Sequence, residues 1–69
     1  MNKRLLESKM KLFGDTNEAL AKALNLSRQS ISAKKNGKNG KEFTQGEIKT
    51  IKERYSLTPE EVVSIFFTV

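Results

Sequence analysis

The side chains of this chain best suited to chemistry lie together in Ser27-Arg28-Gln29-Ser30-Ile31-Ser32-Ala33-Lys34-Lys35-Asn36. Read as a helix, the stretch turns Ile31 inward. Arg28, Gln29, Ser32 and Ala33 then lie toward the opposite side and the exposed N-terminal end. Arginine pairs bidentately with guanine and glutamine with adenine, and a small alanine touches the thymine methyl. The chemistry expected is therefore the reading of base edges by hydrogen bonding. An ordinary polar helix face is the plainer alternative.

Bond-making chemistry is not expected. The 69 residues contain no His and no Cys. That removes the commonest general base, the commonest zinc ligand, thiolate metal sites and disulfides. No nucleophile stands with a base, and there is no Gly-rich phosphate loop. Glu60 and Glu61 are adjacent, so on a helix they project about 100° apart. They also fall in a first turn, where the macrodipole accounts for them. The expectation is a non-enzyme with no metal, no cofactor and no small-molecule substrate.

The base-reading stretch needs elements that hold it. Ahead of it, Ala19, Leu20, Ala23 and Leu24 recur at helical spacing from Asn17, with small Ala21 between them. Asn25 ends this helix, because asparagine tolerates a left-handed backbone. Ser27 is a good N-cap, and Leu26 before it staples to Ile31 after it. The spacing predicts a helix-turn-helix unit over about 16–37, its second helix over about 28–36. Asp15 and Thr16 compete to cap the first helix. Thr16 is preferred, since it sets Asn17 at the first helical position with its amide and a free backbone N–H outward. Such a position suits a phosphate, although Asn17 could simply be a helix-start residue.

Residues 2–13 read as a core-packing helix with Leu6, Met10 and Phe13 in one stripe, Leu5 and Leu12 flanking it, and Gly14 ending it. Met1 to Arg4 are either a basic arm or a frayed end. Residues 36–42, NGKNGKE, form a loop by composition. Its Lys38 and Lys41 are expected on the DNA backbone, with Ser30 beside them. Two further helices announce themselves by capping boxes, Thr44 with Glu47 and Thr58 with Glu61. Staples accompany both, Phe43 with Ile48 and Leu57 with Val62, and Pro59 sits at the favoured first position. Ile48, Ile51 and Tyr55 line one face of the fourth helix. The last helix is apolar over too wide an arc for one core face. Phe66 is expected in the core, and Ile65, Phe67 and Val69 at a protein interface.

The formal net charge is +5. From Lys22 to Lys41 the chain has Lys22, Arg28, Lys34, Lys35, Lys38 and Lys41 and no acidic residue. Positive charge thus collects on and just after the second helix of the unit, where phosphates would be met. A solvated lysine-rich loop would look similar without the helix-turn-helix. No apolar run approaches the ~18 residues of a membrane span. The start MNKRLLESKMKLFG is a poor signal peptide. A cytoplasmic protein without membrane contact is expected.

Residues 16–37 resemble the helix-turn-helix of the phage repressor and Cro family. That pattern is roughly Gln at the first position, Ala at the fifth, Gly at the ninth, an aliphatic residue at the fifteenth, and Asn-Gly after the second helix. Here those places hold Asn17, Ala21, Asn25, Ile31 and Asn36-Gly37. More narrowly, SRQSISAKKNGKNGKEFTQGEI and LTPEEVVSIFF are similar to short Cro-like regulators of temperate phages of Gram-positive bacteria, which oppose a lysogenic repressor. The resemblance covers nearly the whole chain. It implies an all-α, compact five-helix domain over residues 1–69. It also implies phosphate contacts at Asn17 and Asn36, and base contacts at Arg28, Gln29, Ser32 and Ala33. The implied partner is double-stranded operator DNA, bound as a homodimer in the bacterial host cell. The alternative is an antirepressor that forms a heteromer with the opposing phage repressor. Two departures stand out. Asn17 replaces Gln and shortens the reach to phosphate. Lys34 and Lys35 replace the usual apolar packing of the last turn, which predicts a loose helix end or weaker DNA affinity.

Overall fold

Each helix begins where a side chain substitutes for a missing backbone partner. The computed structural model describes residues 1–67, and among them the order is α1 (Lys3–Leu12), α2 (Asn17–Leu24), α3 (Arg28–Asn36), a 3-10 turn (Lys38–Gly40), α4 (Gln45–Arg54) and α5 (Pro59–Phe66). Asn2, Thr16, Ser27, Thr44 and Thr58 are the five N-caps, each accepting a backbone N–H of the first turn. Both expected capping boxes form: Glu47 accepts from the Thr44 N–H and Glu61 from the Thr58 N–H, each at 2.9 Å. Such caps contribute about 1 kcal/mol apiece, which matters in so small a domain. The architecture is all-α, as expected.

The stops follow the same logic. Asn25 adopts φ 58° and ψ 44°, so α2 ends in a left-handed residue, and Gly37 ends α3 the same way. One detail differs from expectation. Residues 36–42 are not wholly irregular, since Lys38–Gly40 make one 3-10 turn with Asn39 at φ 57°. Asparagine's tolerance of that region lets two Asn-Gly pairs wind back instead of extending.

The five most deeply enclosed side chains are Leu6, Leu20, Ile31, Ile51 and Ile65. One comes from every helix, so the helices share one core. Burying each contributes about 1.5–3 kcal/mol. Ile65 therefore overturns its interface assignment: it is 0% exposed. The reason is the docking of α5 on α1, where the Asn2 N–H donates to the Ile65 carbonyl at 2.6 Å. Phe66 is half-buried and meets Phe43 edge-on at 5.9 Å between centroids. Phe67 faces outward, 63% exposed, as expected. Val69 lies outside the described residues. Phe13 falls short of the stripe foreseen for it. It caps α1 rather than continuing it, and is 51% exposed beside the Tyr55 ring.

Asp15, the losing candidate for the α2 cap, has a different task. Its carboxylate accepts from Arg54 Nε at 2.7 Å, from Arg54 Nη2 at 2.9 Å and from the Tyr55 hydroxyl. The Arg54 hydrogen bonds outweigh the opposing effect of burial and hold the carboxyl at about 2. Burial, reinforced by the Asp15 charge, pushes the Tyr55 hydroxyl well above its usual range. This fork ties the start of α2 to the end of α4. No helix among the described residues is long and apolar enough to cross a membrane.

Candidate nucleic-acid interface

The orientation of α3 follows from one side chain. Ile31 is sealed against α2 in the cluster that holds Leu20 and Ala21. Helical geometry then turns Arg28, Gln29 and Ser32 to the surface, all three exposed, while Ala33 is half-buried. Two shallow depressions flank this ridge. Thr16, Asn17 and Glu18 line one of them together with Arg28, Gln29 and Ser32. The other runs along Ser27, Gln29, Ser30, Ser32, Ala33 and Asn36 to Lys38, Asn39 and Lys41. Gln29 and Ser32 belong to both. The structure thus brings every expected base-contact and phosphate-contact residue to one side of the molecule, with α3 as the raised element.

Their hydrogen bonds separate those that are available from those already engaged. Ser30 is half-buried and its hydroxyl accepts from Ser27 Oγ at 3.1 Å. Asn36 is exposed, yet its Nδ2 donates to the Ser32 carbonyl at 2.9 Å and its Oδ1 accepts from Lys3 Nζ at 2.8 Å. An amide held at both ends is a poorer phosphate donor than expected. Lys3 instead brings an exposed ammonium to that corner. Sequence reasoning missed this contact, because its partners lie 33 positions apart. Asn17 is exposed at the first position of α2, where backbone N–H groups lack intrahelical partners. Its Oδ1 accepts from Lys35 Nζ at 2.6 Å.

The two lysines at the end of α3 depart most from expectation. Lys35 is 5% exposed, and its ammonium lies 3.8 Å from the Glu7 carboxylate as well as on Asn17. Burial pushes its pKa below the usual lysine range, with Glu7 opposing. Lys34 pairs with Glu47 Oε1 at 2.6 Å. Burial raises the Glu47 carboxyl, but the Lys34 ammonium and the Thr44 N–H outweigh it and hold the group low. Both lysines thus have partners at the helix end, where the absence of apolar residues had suggested a loose end or weaker DNA affinity. Polar partners on α1, α2 and α4 replace the hydrophobic ones. Lys22, Arg28, Lys38 and Lys41 remain the exposed cations of the acid-free window.

Exposed Phe67 and Val63 stand one turn apart at the end of α5, and Phe67 lines a cavity with Asn36, Gly37 and Lys41 at the end of α3. No protein-family model, curated protein or solved structure matches the chain.

Proposed function

We propose that this chain is a sequence-specific, double-stranded-DNA-binding regulator of a phage genetic switch, acting in the cytoplasm of the bacterial host. The observation that carries this reading is the division of α3. Ile31 anchors it, while Arg28, Gln29 and Ser32 stand exposed between Asn17 on one side and Lys38 and Lys41 on the other. A helix presented this way fits the major groove, with phosphate contacts on either side fixing its register. In this reading Arg28, Gln29, Ser32 and Ala33 meet bases, and a homodimer spans the operator. The resemblance of residues 16–37 supplies the phage context.

The test is selection of bound sequences from a randomised duplex pool, followed by titration of Arg28→Ala on the selected site. Loss of about 1–3 kcal/mol confined to one base pair is expected. If Arg28→Ala weakens all duplexes equally, Arg28 contacts phosphate and the base-reading assignment is wrong.

A second reading has its own observation. Phe67 is 63% and Val63 56% exposed on the same face of α5, and an outward phenylalanine makes a strong interface anchor. The chain would then act as an antirepressor that grips the opposing lysogenic repressor. Sedimentation of the two proteins mixed without DNA separates the readings.

A further inference from the structure

We propose that Lys35 is a positioning residue that turns the Asn17 side-chain amide so that its NH2 group faces a DNA phosphate. The proposal rests on the DNA-binding reading above and extends it to a residue that touches no DNA.

The chemistry of the two groups fixes the orientation. An ammonium has three donors and no acceptor, so it pairs with the oxygen of a carboxamide and never with its nitrogen. Lys35 Nζ lies 2.6 Å from Asn17 Oδ1. The nitrogen of the same planar amide is thereby directed away from Lys35. Asn17 is an exposed residue and Lys35 a buried one, so away from Lys35 means toward solvent. There the NH2 adds to the N–H groups at the start of α2 that the Thr16 cap, which accepts from Ala19, does not engage. An asparagine without such a partner presents oxygen as readily as nitrogen, and an outward oxygen repels a phosphate.

The placement of Lys35 also calls for a reason. Burying an ammonium is unfavourable unless it is paired, and an apolar side chain would pack the last turn of α3 at lower cost. The one charged partner among the described residues, Glu7, is at 3.8 Å with its side chain half exposed, a weak ion pair. The short bond is the one to neutral Asn17. The arrangement spans 18 positions and joins the end of the base-reading helix to the start of the phosphate-binding one. It therefore also fixes the distance between the two kinds of contact.

Phosphate contacts do not depend on sequence, so a mixed-sequence DNA duplex at low salt is a sufficient probe. Wild type, Asn17→Ala, Lys35→Met and the double variant are compared by fluorescence anisotropy, with circular dichroism confirming the fold. Methionine keeps the length of the stem and removes the donor. Releasing one side chain that must be ordered again on binding predicts a loss of ~2- to 10-fold per protomer for Lys35→Met. In the Asn17→Ala background the same change should have no further effect. Losses that multiply show that Lys35 acts independently of Asn17, and overturn the inference while leaving DNA binding intact. Absence of duplex binding by the wild type overturns both. Should Lys35→Met fail to fold, Asn17→Asp decides. It keeps an oxygen for Lys35 and replaces the outward NH2 by a second carboxylate oxygen. It should melt no lower than wild type yet bind the duplex more than about tenfold more weakly. Binding by Asn17→Asp equal to wild type overturns the inference.

Discussion

The salt dependence of DNA binding is the sharpest test of the charge distribution. Six basic residues occupy the acid-free window, but they are not equivalent. Lys34 is paired with Glu47 and Lys35 is buried against Asn17. Lys22, Arg28, Lys38 and Lys41 are exposed. If Lys22, Lys38 and Lys41 meet phosphates while Arg28 meets a base, a dimer neutralises about six, and log Kobs should fall against log salt with a slope near −5. Counting all six cations would give about −11 instead. Between about 50 and 200 mM salt, a slope of −5 is a loss of roughly a thousandfold. Fluorescence anisotropy on the selected duplex measures it directly. Lys41→Gln should make the dimer's slope shallower by about 2, because each protomer loses one contact. Lys34→Gln should leave the slope unchanged, since that charge already belongs to Glu47. A slope shallower than about −2 means that the basic window is solvated decoration. An equal effect of Lys34→Gln and Lys41→Gln refutes the partition drawn from the structure.

Asp15→Asn removes the anionic half of the fork to Arg54. The carboxyl is depressed from 3.8 to about 2 in the folded chain, so its contribution is complete above the unfolded value and disappears as pH falls through the folded one. The shift sets a ceiling of ~2.5 kcal/mol, and screening of the partly exposed Arg54 brings this to about 1–2 kcal/mol. Urea unfolding should show wild type ahead by that amount at neutral pH and level with the variant near pH ~2; a gap indifferent to pH sinks the assignment. Ile65→Ala should cost about 2–5 kcal/mol through the cavity it leaves, read as a lowered melting temperature; a melt like wild type would return Ile65 to the surface. Phe67→Ala should keep the circular dichroism spectrum but reduce self-association or binding to the opposing repressor by ~2 kcal/mol or more. Sedimentation unchanged in both cases removes Phe67 as the anchor.

What the sequence disclosed was local. Thr16, Ser27, Thr44 and Thr58 each act within three residues of themselves, and a single strand of text displays such spacings. Asn25 as a left-handed stop is of the same kind. The outward set Arg28, Gln29 and Ser32 was legible because one buried residue, Ile31, fixes the rotation of a nine-residue helix. Ile65 was misassigned because it and Phe66 are adjacent on a helix apolar over a wide arc. Only the packing of α1 decides which of them points inward. The partners of Lys34 and Lys35 were not legible for a related reason. Their partners Glu47 and Asn17 lie 13 and 18 positions away, and nothing in the residue types announces the pairing. Asp15 looked like a cap because caps are local. Its partners are 39 and 40 positions distant.

That long reach has a kinetic consequence. The caps and staples close turns of a few residues, and α2 meets α3 across a short turn, so these contacts can form early. The bonds of Asp15 to Arg54 and Tyr55 close more than half of the chain and require α2 to α4 to be in place first. Contacts made after the folding barrier slow unfolding without hastening folding. On this ordering Asp15 should act as a late latch. Stopped-flow measurements on Asp15→Asn should find the unfolding limb raised and the refolding limb nearly unmoved. The unfolding lifetime of the native chain would then depend on one carboxylate at its edge as well as on its core.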